Sequence, residues 1–290
     1  FSDPNCTSKY FDVPQLSVNV FPGNVLDGVA DYMKDLINVI KKTQEKDMKN
    51  VTEILTSTGT QVVISYLPVG SDAASEFYAE AALNAGCAFI NCTPATISNS
   101  KKIREKFEKM QLPLLGDDIK SQIGSTTIHQ NLISLLQSKG AKITSTYQLN
   151  IGGNTDFKNM RDVNRSKGKK FTKEIALKHL FTDDVEMGVG PSDYVPFLKD
   201  HKIGYINIEG TVLMGMPFSL ELKLKVEDSP NSAGVALNAI RAAKVAIDNK
   251  QYGVIEDVCP YLFKNPPTKF DEQKTVDSFV RFAASENCNE

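Results

Sequence analysis

The sequence predicts an α/β protein, a Rossmann-like parallel sheet layer with an inserted α+β segment, and three observations carry that reading. The β-branched run Val62-Val63-Ile64-Ser65, a helical stretch over residues 72–85 and an apolar run over 87–92 follow one another as strand, helix and strand. Within about 30 residues that order is a βαβ unit, whose strands are parallel and whose crossover is right-handed. Further on, Phe218, Leu220, Leu222, Leu224 and Val226 alternate strictly with Ser, Glu and Lys. A strand apolar on one side only belongs to a half-exposed antiparallel sheet, so a second architecture is present. Finally, 290 residues at 41% apolar content suffice for one large or two small cores. We therefore expect residues 1–118 and 229–290 to form the Rossmann-like layer and residues 119–228 the insertion.

Taken in order, residues 17–21 alternate as a short strand that Pro22-Gly23 ends with turn chemistry. Leu26, Val29, Met33, Leu36, Ile37 and Ile40 recur at three- and four-residue spacing, which places them on one helical face. Asn50 and Glu53 have the spacing of a capping box that starts a short second helix, and Gly59 is placed to end it. Leu67-Pro68-Val69-Gly70-Ser71 bounds the strand at 62–65, and Gly86 stops the helix that follows. A charged helix over 101–110 and a short strand over 113–115 continue the α/β pattern. Beyond Gly116 the character changes: a helix over 126–138 leads into a long strand over 143–151. Residues 152–173, rich in Asn, Asp, Lys and Gly, read as a long polar loop of the kind that carries function. A hairpin follows over 203–226, turning near Gly215-Met216-Pro217. Ser229-Pro230 reads as an N-cap and an N1 proline opening a small-residue helix to 248, suited to close packing on a sheet.

Composition removes several function classes. No run of about 18 apolar residues occurs, so no transmembrane helix is expected. With 33 basic and 35 acidic side chains the net charge is -2, which lacks the basic excess of a nucleic-acid reader. The five cysteines, Cys6, Cys87, Cys92, Cys259 and Cys288, are odd in number and scattered, which predicts reduced thiols and a cytoplasmic protein. Cys87 and Cys92 stand as C-x4-C with no second pair to close a zinc site, and the identity of any metal stays unknown. Three histidines, His129, His179 and His201, leave little room for a nucleophile-base triad. The opening Phe1-Ser2-Asp3-Pro4-Asn5 reads as the middle of a loop, so a preceding segment is expected.

The dinucleotide pattern G-x-G-x-x-G and the P-loop pattern are both absent, so no motif by itself supplies a cofactor. Gly116-Asp117-Asp118-Ile119-Lys120 follows a strand at the sheet edge where α/β proteins bind ligands. A capped turn with a surface ion pair explains the same residues. Ser121 to Thr127 joins a glycine and several hydroxyls to a helix start, which suits a phosphate, although an ordinary N-cap also uses Ser or Thr. Lys167, Lys169, Lys170 and Lys173 crowd one segment. Such a run is ordinarily a solvated face, and alternatively several ammoniums neutralise a phosphate while their repulsion lowers one lysine toward the general-base range.

Five motifs in order, Leu67-Pro68-Val69-Gly70-Ser71, Gly116-Asp117-Asp118-Ile119-Lys120-Ser121-Gln122, Tyr147 to Phe157 (YQLNIGGNTDF), Val189-Gly190-Pro191-Ser192-Asp193-Tyr194 and Asp228-Ser229-Pro230-Asn231-Ser232-Ala233-Gly234, together resemble the myo-inositol-1-phosphate synthase family in its archaeal and bacterial form. The likeness runs over essentially the whole chain. It implies an NAD-dependent isomerase that converts D-glucose 6-phosphate to 1L-myo-inositol 1-phosphate by internal oxidation at C5, enolisation, aldol cyclisation and reduction. It also implies catalytic roles for Lys169, Lys173, Lys202 and Lys264, with Lys264 beside the C5 hydroxyl. By the same resemblance Ser65, Asn91, Thr93, Asp118, Asp156, Asp228 and Ser229 fall on cofactor-binding positions. Ser121, Thr126 and Asn154 fall on positions near the substrate phosphate. Gly168 stands where the family pattern often has Ser, which leaves Lys170 as a substitute for Lys169. The family's first strand and Gly-rich pyrophosphate loop are expected to precede Phe1.

The resemblance implies a homotetramer, and the charge balance and the lack of a long apolar run leave neither nucleic acid nor membrane as an expected partner. Two other readings use the same residues. One is a catalytically silent oligomerisation and phosphate-binding module built on the antiparallel sheet. The other is an ordinary dehydrogenase with net hydride transfer, for which His201 beside Lys202 offers a base.

Overall fold

The computed structural model describes residues 14, 18–24, 26–33, 37, 48–161 and 163–285, without the side chains of 32, 163–166 and 169. Two four-stranded sheets organise them. The first contains β1 (Val62–Ser65), β2 (Ala88–Asn91), β3 (Pro113–Leu115) and, from near the C-terminus, β8 (Gly253–Val254), all parallel in the order β1-β2-β3-β8. Alternation along each strand sends side chains to opposite faces, so each face needs its own cover. Phe89 and Leu114 pack under α2 (Asp72–Asn84) and α3 (Lys101–Lys109), against Ala79, Ala82, Leu83, Ile103 and Phe107. Ala88, Ile90 and Leu115 face the other way, onto Ala239, Ala243 and Ala246 of α7 (Asp228–Asp248) and onto Phe263. The alanines of α7 let its backbone lie close on the sheet, as its composition predicts.

The second sheet holds β4 (Lys142–Gly152), β5 (Glu186–Tyr194), β6 (His201–Thr211) and β7 (Pro217–Glu227) in the order β5-β4-β6-β7. β4 pairs antiparallel with β6, and β6 with β7, while the edge strand β5 runs parallel to β4. One face is covered by α4 (Ser125–Ser138) and α6 (Val163–Lys178), which bury Ile133 and Leu177 against Ile143, Val189, Ile206 and Ile208. The chain is thus α/β, with a parallel layer and a mixed, largely antiparallel second sheet. Among the described residues no helix is long and apolar enough to cross a membrane.

Several local expectations are corrected. Residues 18–21 have no regular structure; Val18 and Val20 are exposed, and no strand among the described residues pairs with them. Of the helix expected over 26–40, a 3-10 turn at Asp31–Met33 is seen, and residues 34–36 and 38–40 lie outside the described residues. α1 (Met48–Ser57) begins before Asn50, which is therefore inside the first turn rather than at the cap. Gly59, at φ +62, does follow its end. The supposed loop over 152–173 contains α5 (Thr155–Asn159) and most of α6. Its polar composition hides a narrow buried stripe, Thr172, Lys173, Ala176 and Leu177, at helical spacing. α7 starts at Asp228, so Ser229 lies in the first turn and is not the cap. β5 escapes a pattern search because Gly188, Gly190 and Pro191 interrupt it, and they fit at an edge strand where the register shifts past Ser192. Two C-terminal helices, α8 (Cys259–Leu262) and α9 (Glu272–Ala284), complete the described elements.

Candidate active site

Where the carboxyl ends of β1 and β2 meet the second sheet, a cavity of about 400 Å³ opens. Its walls come from the segments after β1 and β2, the start of α4, the end of β4, α5, the start of α7, and Lys264. Lys173, Lys202 and Lys264 line it, together with Thr93, Ser121, Thr126, Asn154, Asp156, Asp228 and Ser229. These sequence-identified residues, drawn from segments far apart in the chain, thus share one cavity.

Lys264 is held by a short antiparallel exchange across the parallel layer. Asp117 and Asn265 trade backbone N–H and carbonyl groups, Lys264 N donates to Asp118 O, and Lys120 N donates to Leu262 O. That register sets Lys264 beside Asp118, and its Nζ donates to Asp118 Oδ1 at 2.9 Å and to the Ile119 carbonyl at 2.6 Å. Asp118 itself is fully buried with a positive φ of 59, and its N–H donates to Thr93 O. It stands behind Lys264 rather than on the cavity wall. Its other oxygen accepts from the Thr172 hydroxyl at 2.6 Å.

Asp117, also fully buried, accepts hydrogen bonds from the backbone of Ile97, Ser98 and Asn99 and from the amides of Asn91 and Asn99. Burial pushes its carboxyl up, and these donors, which favour the ionised form, pull against that. Asn91 spends its amide on this frame: Nδ2 also donates to Ala95 O at 2.7 Å, and Oδ1 accepts from Thr93. Asn91 therefore shapes the loop after β2 and does not line the cavity. Lys120 is buried with its Nζ on the Pro260 carbonyl, and burial pushes its ammonium down while Glu272 opposes the shift.

On the opposite wall, Lys202, the second residue of β6, donates to Asp228 Oδ1 at 2.6 Å. Asn154 caps α5 by accepting from Phe157 N, and its Nδ2 bridges Asp228 and Asp200. Asp200, two residues before Lys202, accepts from the Ser229 N–H at 3.1 Å and hydroxyl at 2.7 Å, while its carbonyl accepts from Asp228 N. A carboxylate there also suits the positive end of the long helix α7. Sequence reading missed Asp200, because a lone Asp before a strand carries no pattern.

The start of α4 points into the cavity. Its first intrahelical bond runs from Ile128 N to Gly124 O, so the amides of Ser125, Thr126 and Thr127 lack helical partners by geometry. Such a terminus attracts anions. Ser125 Oγ and Asn150 Oδ1, on the cavity wall, and Ser65 Oγ and Ser71 Oγ, near the end of β1, are buried with no hydrogen-bond partner among the described residues. A ligand in the cavity rich in hydroxyl, amide and phosphate groups would satisfy Ser125 Oγ and Asn150 Oδ1, and a dinucleotide with a sugar phosphate is such a ligand. The residues present fit NAD.

The remaining residues stand elsewhere. The side chain of Lys169 lies outside the described residues. Lys170 is exposed, 3.8 Å from Glu174, and does not line the cavity. His201 turns its Nδ1 to the Leu198 carbonyl. Among the described residues no group of three or more His, Cys, Asp or Glu side chains is placed to hold a metal ion.

Comparison with known proteins fits this geometry. A family profile described as Myo-inositol-1-phosphate synthase matches residues 124–229, from the α4 start to Ser229. The inositol-3-phosphate synthase of Corynebacterium glutamicum is 44% identical over 287 residues, covering 95% of this chain and 78% of that one. The chain belongs to the myo-inositol-1-phosphate synthase family. The Mycolicibacterium smegmatis inositol-3-phosphate synthase is 41% identical over 274 residues, 92% of this chain and 74% of that one. The crystal structure of the Caenorhabditis elegans inositol-3-phosphate synthase superposes with a TM-score of 0.69 at 18% identity, over 96% of this chain and 63% of that one, and shows the shared fold. As a family member the chain is an enzyme, an isomerase of inositol biosynthesis on a Rossmann-like scaffold.

Proposed function

We propose that this synthase converts D-glucose 6-phosphate to 1L-myo-inositol 1-phosphate with NAD as a cofactor that is regenerated in each turnover. The observation that carries the reading is the convergence of Lys173, Lys202 and Lys264 with the α4 start in one cavity. When bound, NAD supplies a hydride sink and source at C5. Residues 1–118 and 229–290 are the nucleotide-binding part in this reading, and the loops after β1 and β2, with Thr93, Asp156 and Ser229, hold the cofactor.

The phosphate sits at the α4 start, held by Ser121, Ser125 and Thr126 and neutralised by lysine ammoniums. Lys264 accepts the proton of the C5 hydroxyl, and Asp118 Oδ1 behind it steadies the resulting ammonium. Enolisation then moves a proton from C6 to a lysine, and Lys173 and Lys202 stabilise the oxygen on which negative charge grows. The same ammoniums hold the C1 carbonyl as the C1–C6 bond forms, and the lysine that took the C6 proton delivers it to the C1 oxygen. Lys264 returns its proton when the C5 ketone is reduced, so sugar phosphate and product have one formula. Lys169 completes the catalytic set. Residues 119–228 contribute the catalytic lysines other than Lys264 and also the tetramer contacts, and the homotetramer works in the cytoplasm.

The test is direct assay of inositol phosphate formation from glucose 6-phosphate and NAD+ by the wild-type protein and Lys264→Ala. Turnover by the first and none by the second supports the reading. Equal turnover removes Lys264 from the chemistry.

A further inference from the structure

Lys264 reaches the cavity from the C-terminal third of the chain, yet the carboxylate that holds it is itself held from the second sheet's side. Thr172, 1% exposed on α6, places its hydroxyl 2.6 Å from Asp118 Oδ2, and Asp118 Oδ1 lies 2.9 Å from Lys264 Nζ. Asp118 is fully buried, so bulk water cannot substitute for that hydroxyl. An ionised carboxylate only accepts, so the hydroxyl donates, and the two oxygens of one carboxylate are pinned by different segments. The next residue on α6, Lys173, faces the cavity. The helix that presents one lysine therefore also fixes the carboxylate that aims another.

We propose that Thr172 is a positioning residue for Lys264, acting through Asp118. The inference rests on the reading that Lys264 serves the C5 hydroxyl, and it deepens that reading by naming what sets the ammonium's place. Without the hydroxyl, Asp118 Oδ2 loses the donor that Thr172 supplies, and the carboxylate shifts together with the Lys264 Nζ that donates to its other oxygen. Misplacement of this order costs turnover far more than affinity, because the phosphate is held on another wall.

The experiment compares Thr172→Val, which keeps the shape and removes the hydroxyl, with Thr172→Ser, which keeps the hydroxyl and removes the methyl. Thr172→Val is expected to lower kcat about 10- to 100-fold with KM for glucose 6-phosphate within about twofold, and Thr172→Ser to restore kcat to within about threefold. A second readout needs no turnover: competitive acetylation of the folded protein by acetic anhydride, read by peptide mass spectrometry, should label Lys264 faster in Thr172→Val and at the wild-type rate in Thr172→Ser, with Lys202 unchanged in both. If Val fails to fold, Thr172→Ala against Thr172→Ser makes the same comparison. Equal loss in the Val and Ser variants would mean packing alone and overturn the proposal, as would unchanged kcat and labelling in both. If Lys264→Ala keeps full activity, the reading of Lys264 fails, and the labelling still decides whether Thr172 sets its position.

Discussion

Lys202 Nζ and Asp228 Oδ1 stand 2.6 Å apart across the junction between the second sheet and α7, each less than one-fifth exposed. The pair joins the start of β6 to the start of the helix that covers the parallel layer, so it links the two parts of the molecule at the cavity. Coulomb attraction at that separation, in surroundings this dry, holds the ammonium in one place.

Lys202→Met is accordingly expected to lower kcat/KM about 100-fold or more, since it removes a positive charge from the cavity and the ammonium that donates to Asp228 Oδ1. Initial rates of inositol phosphate formation check this. A loss under about threefold would show that Lys202 does not act on the substrate.

Asp200→Ala should reach the same lysine indirectly. The change strips acceptors from Ser229 N–H, Ser229 Oγ and Asn154 Nδ2. With the Ser229 N–H and hydroxyl left short of partners at the α7 start, a stability loss of about 2 kcal/mol is expected in urea unfolding. A loss near zero would mean that water replaces the carboxylate.

Gly204→Ala probes the phosphate wall. A Cβ built at Gly204 would stand 2.2 Å from Ser125 Oγ, a contact that forces the hydroxyl aside. The expected outcome is KM for glucose 6-phosphate raised about tenfold with a smaller change in kcat. Unchanged KM would place the phosphate away from Ser125.

His129 makes the acid limb of stability predictable. It is fully buried between Thr146 and Gln148, and burial lowers its pKa to about 4. The unfolded chain, with an ordinary histidine near 6.5, binds the proton first, so stability is present above pH 6.5 and is lost as pH falls toward 4. Between pH 7 and pH 5 this one group should cost about 2 kcal/mol. Urea unfolding at both pH values checks it, and His129→Gln should flatten the difference.

Much of the parallel layer was legible because its strands are continuous apolar runs: residues 62–65, 87–92 and 113–115 fall on β1, β2 and β3. β7 was legible for the opposite reason, a strict alternation. α6 was not, because among its described side chains the buried ones form a narrow stripe, and Thr172 and Lys173, which lie on that stripe, are polar. Polar residues buried for chemistry imitate a loop in any hydrophobicity pattern. The cavity lysines were reachable through the motifs of a family and not through spacing, since Lys202 and Lys264 are single cations in ordinary company. Thr172 and Asp200 left no sequence signal; their importance lies in which carboxylates and donors the fold brings within 3.1 Å.

The measurement that tests the central claim most directly follows two signals in one reaction of the full-length protein with NAD+ and glucose 6-phosphate: inositol phosphate formed and absorbance at the NADH band. The account predicts product accumulating over many turnovers with no net NADH. NADH rising in step with substrate consumed would make the protein a dehydrogenase, and the absence of both signals would leave a binding module; either result contradicts it.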